Sequence, residues 1–307
     1  MKKFAKGCLI AALSMLIIGI IIVVTCIFIG GSTLFSYATD RVKADFDISL
    51  DNYPIILHGN NDTDIEFHND YPTHQGDFED FEAAPSSTVT NLDLIIGAGK
   101  CIISKSSDDY FHIYSKNAEK YQYYTENHTL YIKGFKHSSH HENGNVIYLE
   151  IPKNFYFENI SIELGAGNIE ADELLAKNNI DIYVGAGHLS AELLVAENKL
   201  TSQVGAGNIE IQNGSVKDSD MMIGFGHMTY NGIITNDLSS ECGMGSLTLQ
   251  INDDYENHNY DIELMMGSMI FNETTHSAVS YTDFIDNDAD STYSLKCGMG
   301  NMSISIK

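Results

Sequence analysis

Leu164-Gly165-Ala166-Gly167-Asn168-Ile169 returns as Val184-Gly185-Ala186-Gly187-His188-Leu189 and again as Val204-Gly205-Ala206-Gly207-Asn208-Ile209. Two looser copies follow, Ile223-Gly224-Phe225-Gly226-His227-Met228 and Cys242-Gly243-Met244-Gly245-Ser246-Leu247. The first glycines stand 20, 20, 19 and 19 residues apart. A fixed period near 20 signals stacked structural repeats. Around each glycine pair, apolar residues alternate with polar ones: Ile160, Ile162 and Leu164 before it, Ile169 and Ala171 after it. A period of two means strands with one buried and one wet face. The Gly-x-Gly between them reads as a corner, where missing side chains allow positive φ and close backbone approach.

One unit is too short to bury its own apolar face, so neighbours must stack, with equivalent residues about 4.8 Å apart along the axis. The expected fold class is all-β, a single-stranded, parallel β-helix-like β-solenoid of 20-residue repeats. The corner glycines are Gly97, Gly99, Gly165, Gly167, Gly185, Gly187, Gly205, Gly207, Gly224, Gly226, Gly243, Gly245, Gly267, Gly298 and Gly300. A dinucleotide-binding turn would need a third glycine at the G-x-G-x-x-G spacing and a following helix. The chain offers neither.

Lys2, Lys3 and Lys6 precede an uncharged run from Cys8 to Gly31. As a helix that run spans roughly 33–36 Å, enough to cross a bilayer core. The lysines keep the N-terminus inside and send the rest of the chain out of the cytoplasm. The division expected is a cytoplasmic end at 1–7, a transmembrane helix at 8–31, an acidic juxtamembrane spacer at 32–87, an N-terminal cap and first rung at 88–159, and solenoid repeats at 160–307. A removed signal peptide ending near Ser36-Tyr37-Ala38 competes with the anchor, but the apolar run exceeds the usual h-region of about 7–15 residues. The spacer carries three of the four prolines and many acids, and reads as flexible after His68.

The formal net charge of −25 argues against nucleic acid and anionic lipid head groups as partners. Cys101, Cys242 and Cys297 lie outside the anchor, and their odd number argues against a disulfide framework. Cys242 and Cys297 each precede a Gly-Met-Gly corner in the inward position. With one rung between them they would lie about 9.6 Å apart, beyond disulfide reach. The 68 residues from Gly97 to Gly165 hold strand-forming runs, such as Tyr110–Tyr114 and Val146–Ile151, that suit an antiparallel cap. After Ile251 the spacing loosens: Gly267 marks a degenerate copy, Asp283–Asp290 an acidic loop, and Gly298 the last copy.

An apolar anchor, an acidic spacer and tandem Gly-Ala-Gly-Asn-Ile-Glu units together resemble the bacterial putative-adhesin β-strand-repeat family, a domain of unknown function. The resemblance covers Val89 to Lys307 and implies a surface-exposed or envelope-associated solenoid. The Met- and Cys-bearing later corners depart from its usual pattern.

Candidate chemistry is sparse. After each glycine pair comes a polar residue, Lys100, Asn168, His188, Asn208, His227, Ser246, Ser268 or Asn301, which stacking would align in an outward column. Such a column reads as a hydrogen-bonded ladder. His188 and His227 are two rungs apart, too far to share a zinc ion. His137, His140 and His141 are the candidate metal ligands, with Glu142 nearby, in a stretch whose composition is that of a solvated loop. The outward acids Glu163, Glu170, Asp181, Glu210, Glu241 and Glu263 are scattered, and Ser190 and Ser246 lack a nucleophile elbow. No cofactor is implied. The function expected is therefore non-enzymatic: a single-pass, membrane-anchored extracytoplasmic solenoid serving as an adhesin, envelope scaffold or sensory ectodomain, with an envelope protein or glycan as partner. The alternative is a polysaccharide-binding or polysaccharide-cleaving β-helix.

Overall fold

The repeats stack in register. Asn168, Ile169, Glu170 and Ala171 pair with His188, Leu189, Ser190 and Ala191, which pair in turn with Asn208, Ile209, Glu210 and Ile211, always in parallel. The structure is a computed structural model and describes residues 65–78, 86–134, 145–277 and 280–307. The expected anchor at 8–31 and the candidate ligands His137, His140 and His141 lie outside the described residues. Among the described residues the only helical turns are the short 3-10 segments Ser86–Thr88 and Tyr255–Asn257, and no helix is long and apolar enough to cross a membrane. The architecture is all-β and β-solenoid-like.

The strands, in chain order, are β1 (His74–Phe78), β2 (Asn91–Ile96), β3 (Lys100–Lys105), β4 (His112–Glu126), β5 (Thr129–Gly134), β6 (Val146–Ile151) and β7 (Phe157–Leu164). Three long strands carry the best copies of the repeat: β8 (Asn168–Val184), β9 (His188–Val204) and β10 (Asn208–Ile223). Then come β11 (His227–Ile234), β12 (Leu238–Cys242), β13 (Ser246–Ile251), β14 (His258–Leu264) and β15 (Ser268–Phe271). The last four are β16 (Thr274–Ser277), β17 (Tyr281–Ile285), β18 (Ser291–Cys297) and β19 (Asn301–Ile306).

Each long strand is one winding folded into three short sides. Between β8 and β9 the pairing runs over 168–171, 173–176 and 179–184, skipping Asp172 and the Lys177-Asn178 pair. Those exposed polar residues sit at two bends, and the glycine corner makes the third. Ile169, Ala171, Leu174, Ala176, Ile180, Ile182 and Val184 all point inward and are buried. Each large one contributes about 1.5–3 kcal/mol. Ordering the backbone costs about 1–2 kcal/mol per residue, so a lone 20-residue winding cannot fold and stacking is obligatory.

The corners correct one expectation. Of the corner glycines only Gly99 has a positive φ (+108°), so left-handed backbone is not what the others supply. Close approach is. A Cβ added to Gly187 would lie 2.5 Å from the carbonyl oxygen of Gly167 and 2.8 Å from a Leu164 side-chain carbon. The first glycine of the same corner is less confined, since a Cβ on Gly185 would meet Gly165 O at 3.0 Å.

The order of the rungs is the second correction. β18 and β19 do not follow β14 and β15 at the end of the stack but lie between them and the preceding rung. β18 pairs in parallel with both β12 and β14, and β19 with both β13 and β15. Cys297 is therefore the direct register partner of Cys242, not its neighbour two rungs away. The N-terminal end mirrors this arrangement: β2 lies between β5 and β7, and β3 lies between β6 and β8. The first and the last glycine-corner rungs in chain order are thus tucked inside the stack, each beneath an outer rung that is nearer the middle of the sequence.

Only part of the expected N-terminal cap is antiparallel. β4 runs antiparallel to β5 and β6, and β1 runs antiparallel to β4. β5 and β6 are ordinary parallel rung segments, because Leu130 and Ile132, like Ile147 and Leu149, alternate in phase with the inward columns. Within the expected spacer, the described residues 65–78 are tied to the body of the fold. The buried Gln122 amide donates to the carbonyls of His68 and Tyr71 at 2.8 Å, and the His74 ring stacks on Tyr123 at 4.8 Å. At the opposite end, β17 runs antiparallel to β14 and β16 antiparallel to β15, so Tyr281–Ile285 is a strand where the acidic loop was expected to begin.

The two glycines of one corner should respond unequally to the same methyl group. Gly187→Ala forces backbone apart and is expected to cost about 1–3 kcal/mol, while Gly185→Ala should cost under about 1 kcal/mol. Denaturant unfolding of both variants checks this, and equal losses would contradict the close-approach account.

Candidate functional site

Stacking lines up the polar residues that follow the corners. In spatial order the column reads Lys100, Asn168, His188, Asn208, His227, Ser246, Asn301, Ser268. Its members bond locally. Lys100 Nζ lies 2.7 Å from Glu170 Oε2 and Asn168 donates to Glu170 Oε1 at 2.9 Å. The hydrogen bond from Lys100 holds the Glu170 carboxyl below its ordinary value, outweighing partial burial. His188 and His227 flank Asn208, two rungs or about 9.6 Å apart. The His227 ring engages the Ser246 hydroxyl through Nδ1 and the Thr229 hydroxyl through Nε2. Among the described residues, no group of three or more His, Cys, Asp or Glu side chains is placed to hold a metal ion.

A second column, formed by the middle residues of the corners, escaped the sequence reading. Ala98, Ala166, Ala186 and Ala206 begin it, and Phe225, Met244, Met299 and Met266 continue it. Backbone bonds tie successive corners together, with Phe225 N to Gly205 O at 2.7 Å, Met244 N to Gly224 O at 2.8 Å and Met299 N to Gly243 O at 2.8 Å. Exposure is 46% for Phe225, 41% for Met244, 46% for Met299 and 58% for Met266. Four large apolar side chains thus follow one another along a single edge, rising above a run of alanines. Single exposed apolar residues are ordinary on soluble surfaces, whereas a contiguous patch marks an interaction site. In the sequence these four are scattered, and the intercalated last rung sets their spatial order, with Met299 between Met244 and Met266.

The C-terminal end of the stack opens as a mouth between the β16 and β17 hairpins. A cavity of about 310 Å³ is lined by Tyr255, Phe271, His276, Tyr281 and Asp283 among others. Tyr255 stacks on Tyr260 at 4.8 Å and His276 on Tyr281 at 4.5 Å. The Tyr281 hydroxyl donates to Asp283 at 2.9 Å, and that bond, with lesser burial, raises the phenol's pKa. Flat aromatic faces beside a carboxylate can take a sugar ring or a cation.

Beside this mouth Asp253, His258 and Ser291 form a chain with the connectivity of a hydrolase triad. His258 Nε2 lies 3.1 Å from Asp253 Oδ2, and Nδ1 lies 2.6 Å from Ser291 Oγ. The sequence spacing gave no sign of it. However, His258 is 1% exposed and Ser291 5%, and the serine hydroxyl donates to the Asn257 carbonyl at 3.1 Å. A nucleophile must reach a substrate carbonyl, and this hydroxyl is occupied inside the fold. What the chain does is fasten the Tyr255–Asn257 turn to β18, with the His258 ring stacked 4.1 Å from Tyr293.

Partial burial raises the Asp253 carboxyl, but hydrogen bonds from Asn257, His258 and the Asp254 backbone outweigh it and hold the group below its usual value. A depressed carboxylate adds stability above its unfolded pKa and loses it as pH falls through the folded one. Asp253→Asn should therefore lower the thermal midpoint at pH 7, by the equivalent of about 1 kcal/mol, and shrink the loss seen on acidification below about pH 4. Thermal melts of both proteins from pH 7 to pH 3 check this, and parallel curves would contradict it.

Two solved structures bear a distant likeness. One is a putative cell adhesion protein from Clostridium sporogenes ATCC 15579, 12% identical, with 75% of this chain and 100% of that one covered at a TM-score of 0.32. The other is a putative adhesin from Bacteroides fragilis NCTC 9343, 15% identical, with 77% and 97% covered at a TM-score of 0.36. Neither likeness carries an argument about function at these scores. No curated protein matches the chain. The sequence pattern of the Toastrack DUF4097 family matches residues 100–269, more than half of the chain and all of its regular rungs from β8 to β13. The chain belongs to the Toastrack DUF4097 family.

Proposed function

We propose that this protein is a non-enzymatic, membrane-anchored solenoid displayed outside the cytoplasm, where it acts as an adhesin, an envelope scaffold or a sensory ectodomain. The observation that carries this reading is the apolar ridge of Phe225, Met244, Met299 and Met266 along one edge of the stack. Methionine side chains are flexible and polarizable, and suit a partner surface of variable shape. The formal net charge of −25 over the whole chain favours a protein partner that is apolar at its centre and basic at its rim. The uncharged run from Cys8 to Gly31, preceded by three lysines, supports the anchor and its orientation.

A second reading has its own observation. The aromatic mouth at the C-terminal end, with Tyr255, Tyr281 and Asp283, supports binding of a saccharide at the tip of the stack. Cleavage would further need a pair of carboxylates flanking the bond.

The full chain, displayed on cells with a photoreactive residue at position 299 or, in a separate variant, at position 186, separates these readings. The ridge reading predicts protein adducts from 299 that Met244→Lys suppresses, and few adducts from 186. Equal crosslinking from both positions would overturn it. Binding on a glycan array that Tyr281→Ala abolishes would favour the mouth instead, and release of new reducing ends dependent on Asp283 would overturn the non-enzymatic reading.

A further inference from the structure

The column of residues just before the corners is apolar almost throughout: Ile96, Leu164, Val184, Val204 and Ile223, with Leu264 at its outer end. Cys242 and Cys297 interrupt it side by side, paired directly in the parallel ladder of β12 and β18. They are 55 positions apart in the chain, and become neighbours only because the last rung slides beneath the outer one. Directly opposed residues of a parallel ladder have Cα atoms about 4.8 Å apart, inside the 4.4–6.8 Å range of disulfides, and their side chains leave the sheet on the same face. Both are 2% exposed. The Cys242 thiol donates to the Asn301 carbonyl at 3.8 Å and the Cys297 thiol to the Ser268 carbonyl at 4.0 Å, and the interaction between the two neighbouring thiols raises the Cys242 pKa and lowers that of Cys297. Each sulfur lies under a glycine of the next corner: a Cβ on Gly300 would come 2.9 Å from Cys242 Sγ, and one on Gly267 would come 3.1 Å from Cys297 Sγ. Cys101 is the internal contrast, a buried thiol whose pKa burial alone pushes up to about 12.

We infer that Cys242 and Cys297 are a modification site, joined as a disulfide that staples the intercalated C-terminal rung to the body of the stack. The reaction is exchange with a disulfide-bearing oxidant, of the class carried by thiol oxidoreductases or oxidised glutathione. The Cys297 thiolate attacks one donor sulfur, forming a mixed disulfide and releasing the other donor sulfur as a thiolate. The Cys242 thiol then loses its proton and displaces the remaining donor sulfur. Two electrons and two protons pass to the donor, which leaves as a dithiol or two thiols. The bond closes a loop that contains the whole outer rung, β14 and β15, and ties β18 covalently to β12, so the intercalated rung cannot leave the body of the stack. Only the source of oxidant in the cell rests on the proposed location outside the cytoplasm; the pairing of the thiols does not.

The full chain in detergent, refolded from denaturant in a mixture of oxidised and reduced glutathione, then alkylated and mapped by peptide mass spectrometry, tests this. Refolding gives the oxidant access before the corners close. The expected result is a linked pair of peptides bearing Cys242 and Cys297, loss of two hydrogens from the intact mass, and an alkylated Cys101. Adding a strong reductant should lower the thermal midpoint by roughly 10 °C. Cys242→Ala and Cys297→Ala should remove that response and Cys101→Ala should keep it. Should either alanine variant fail to fold, the peptide map of the unaltered chain decides alone. Recovery of both Cys242 and Cys297 as alkylated thiols, or their pairing with any other cysteine, would overturn the inference. The same map made on protein taken directly from cells reads the location separately: a bond that forms in the refolded chain and is absent from the cellular one leaves the thiol pairing intact and counts against display outside the cytoplasm.

Discussion

The structure depends on one contact, repeated at every winding: the second glycine of a corner lies against the carbonyl of the same glycine one rung below. At Gly207 an added Cβ would come 2.2 Å from Gly187 O, and at Gly226 it would come 2.2 Å from Gly207 O. No side chain fits there. This approach lets the corner amides bond from rung to rung, as Asn208 N does to Gly187 O at 2.8 Å and His227 N does to Gly207 O at 2.9 Å. It also fixes the register. Because side chains alternate with a period of two, a slip of one residue would carry every inward Ile, Leu and Val to the wet face.

From that register the surface follows. Whatever residue a corner carries is placed next to the same position of its neighbours, so each position becomes a column along the stack. The polar column is knit by bonds such as Lys100 to Glu170 and His227 to Ser246, which make a solvated edge. The column of corner midpoints turns from alanine to Phe225 and methionine just where the rungs become irregular. The C-terminal half is also where tyrosines replace aliphatic residues inside: Tyr230, Tyr260 and Tyr293 are fully buried, with each hydroxyl bonded to a backbone carbonyl. Bulk gained inside at Tyr230 is matched by Gly214, where a Cβ would lie 2.4 Å from the tyrosine ring. That half of the stack combines a different interior, an exposed ridge and an open mouth.

Much of this was legible in the sequence, because the information is local. The 20-residue period, the alternation around Gly165, Gly185 and Gly205, and the polar column from Asn168 to Ser246 each need only adjacent repeats to be read. The order of rungs at the two ends was not legible, since spacing records where a copy occurs in the chain and not which neighbours it meets. The intercalation of β2 and of β18 with β19 is a choice among topologies that share one inward pattern. A hint existed in the identical Cys-Gly-Met-Gly phrases at 242–245 and 297–300, which are spatial neighbours. The degenerate corner Met265-Met266-Gly267 makes physical sense at the outside of the stack, where among the described residues no further parallel rung follows and Met266 adopts a positive φ of 51°. The mouth and the Asp253, His258 and Ser291 chain were invisible because they arise from hairpins without a repeat.

The central claim is that the windings stack in register and that the last of them is slipped beneath its predecessor. Pulsed electron paramagnetic resonance measures it directly, with one nitroxide at position 166 and a second at 244, 299 or 266, attached through non-canonical residues so that the native cysteines stay untouched. At about 4.8 Å per rung the account predicts separations that lengthen in the order 244, 299, 266, through roughly 19, 24 and 29 Å. A shorter distance to 266 than to 299 would mean that the windings follow chain order, and would contradict it.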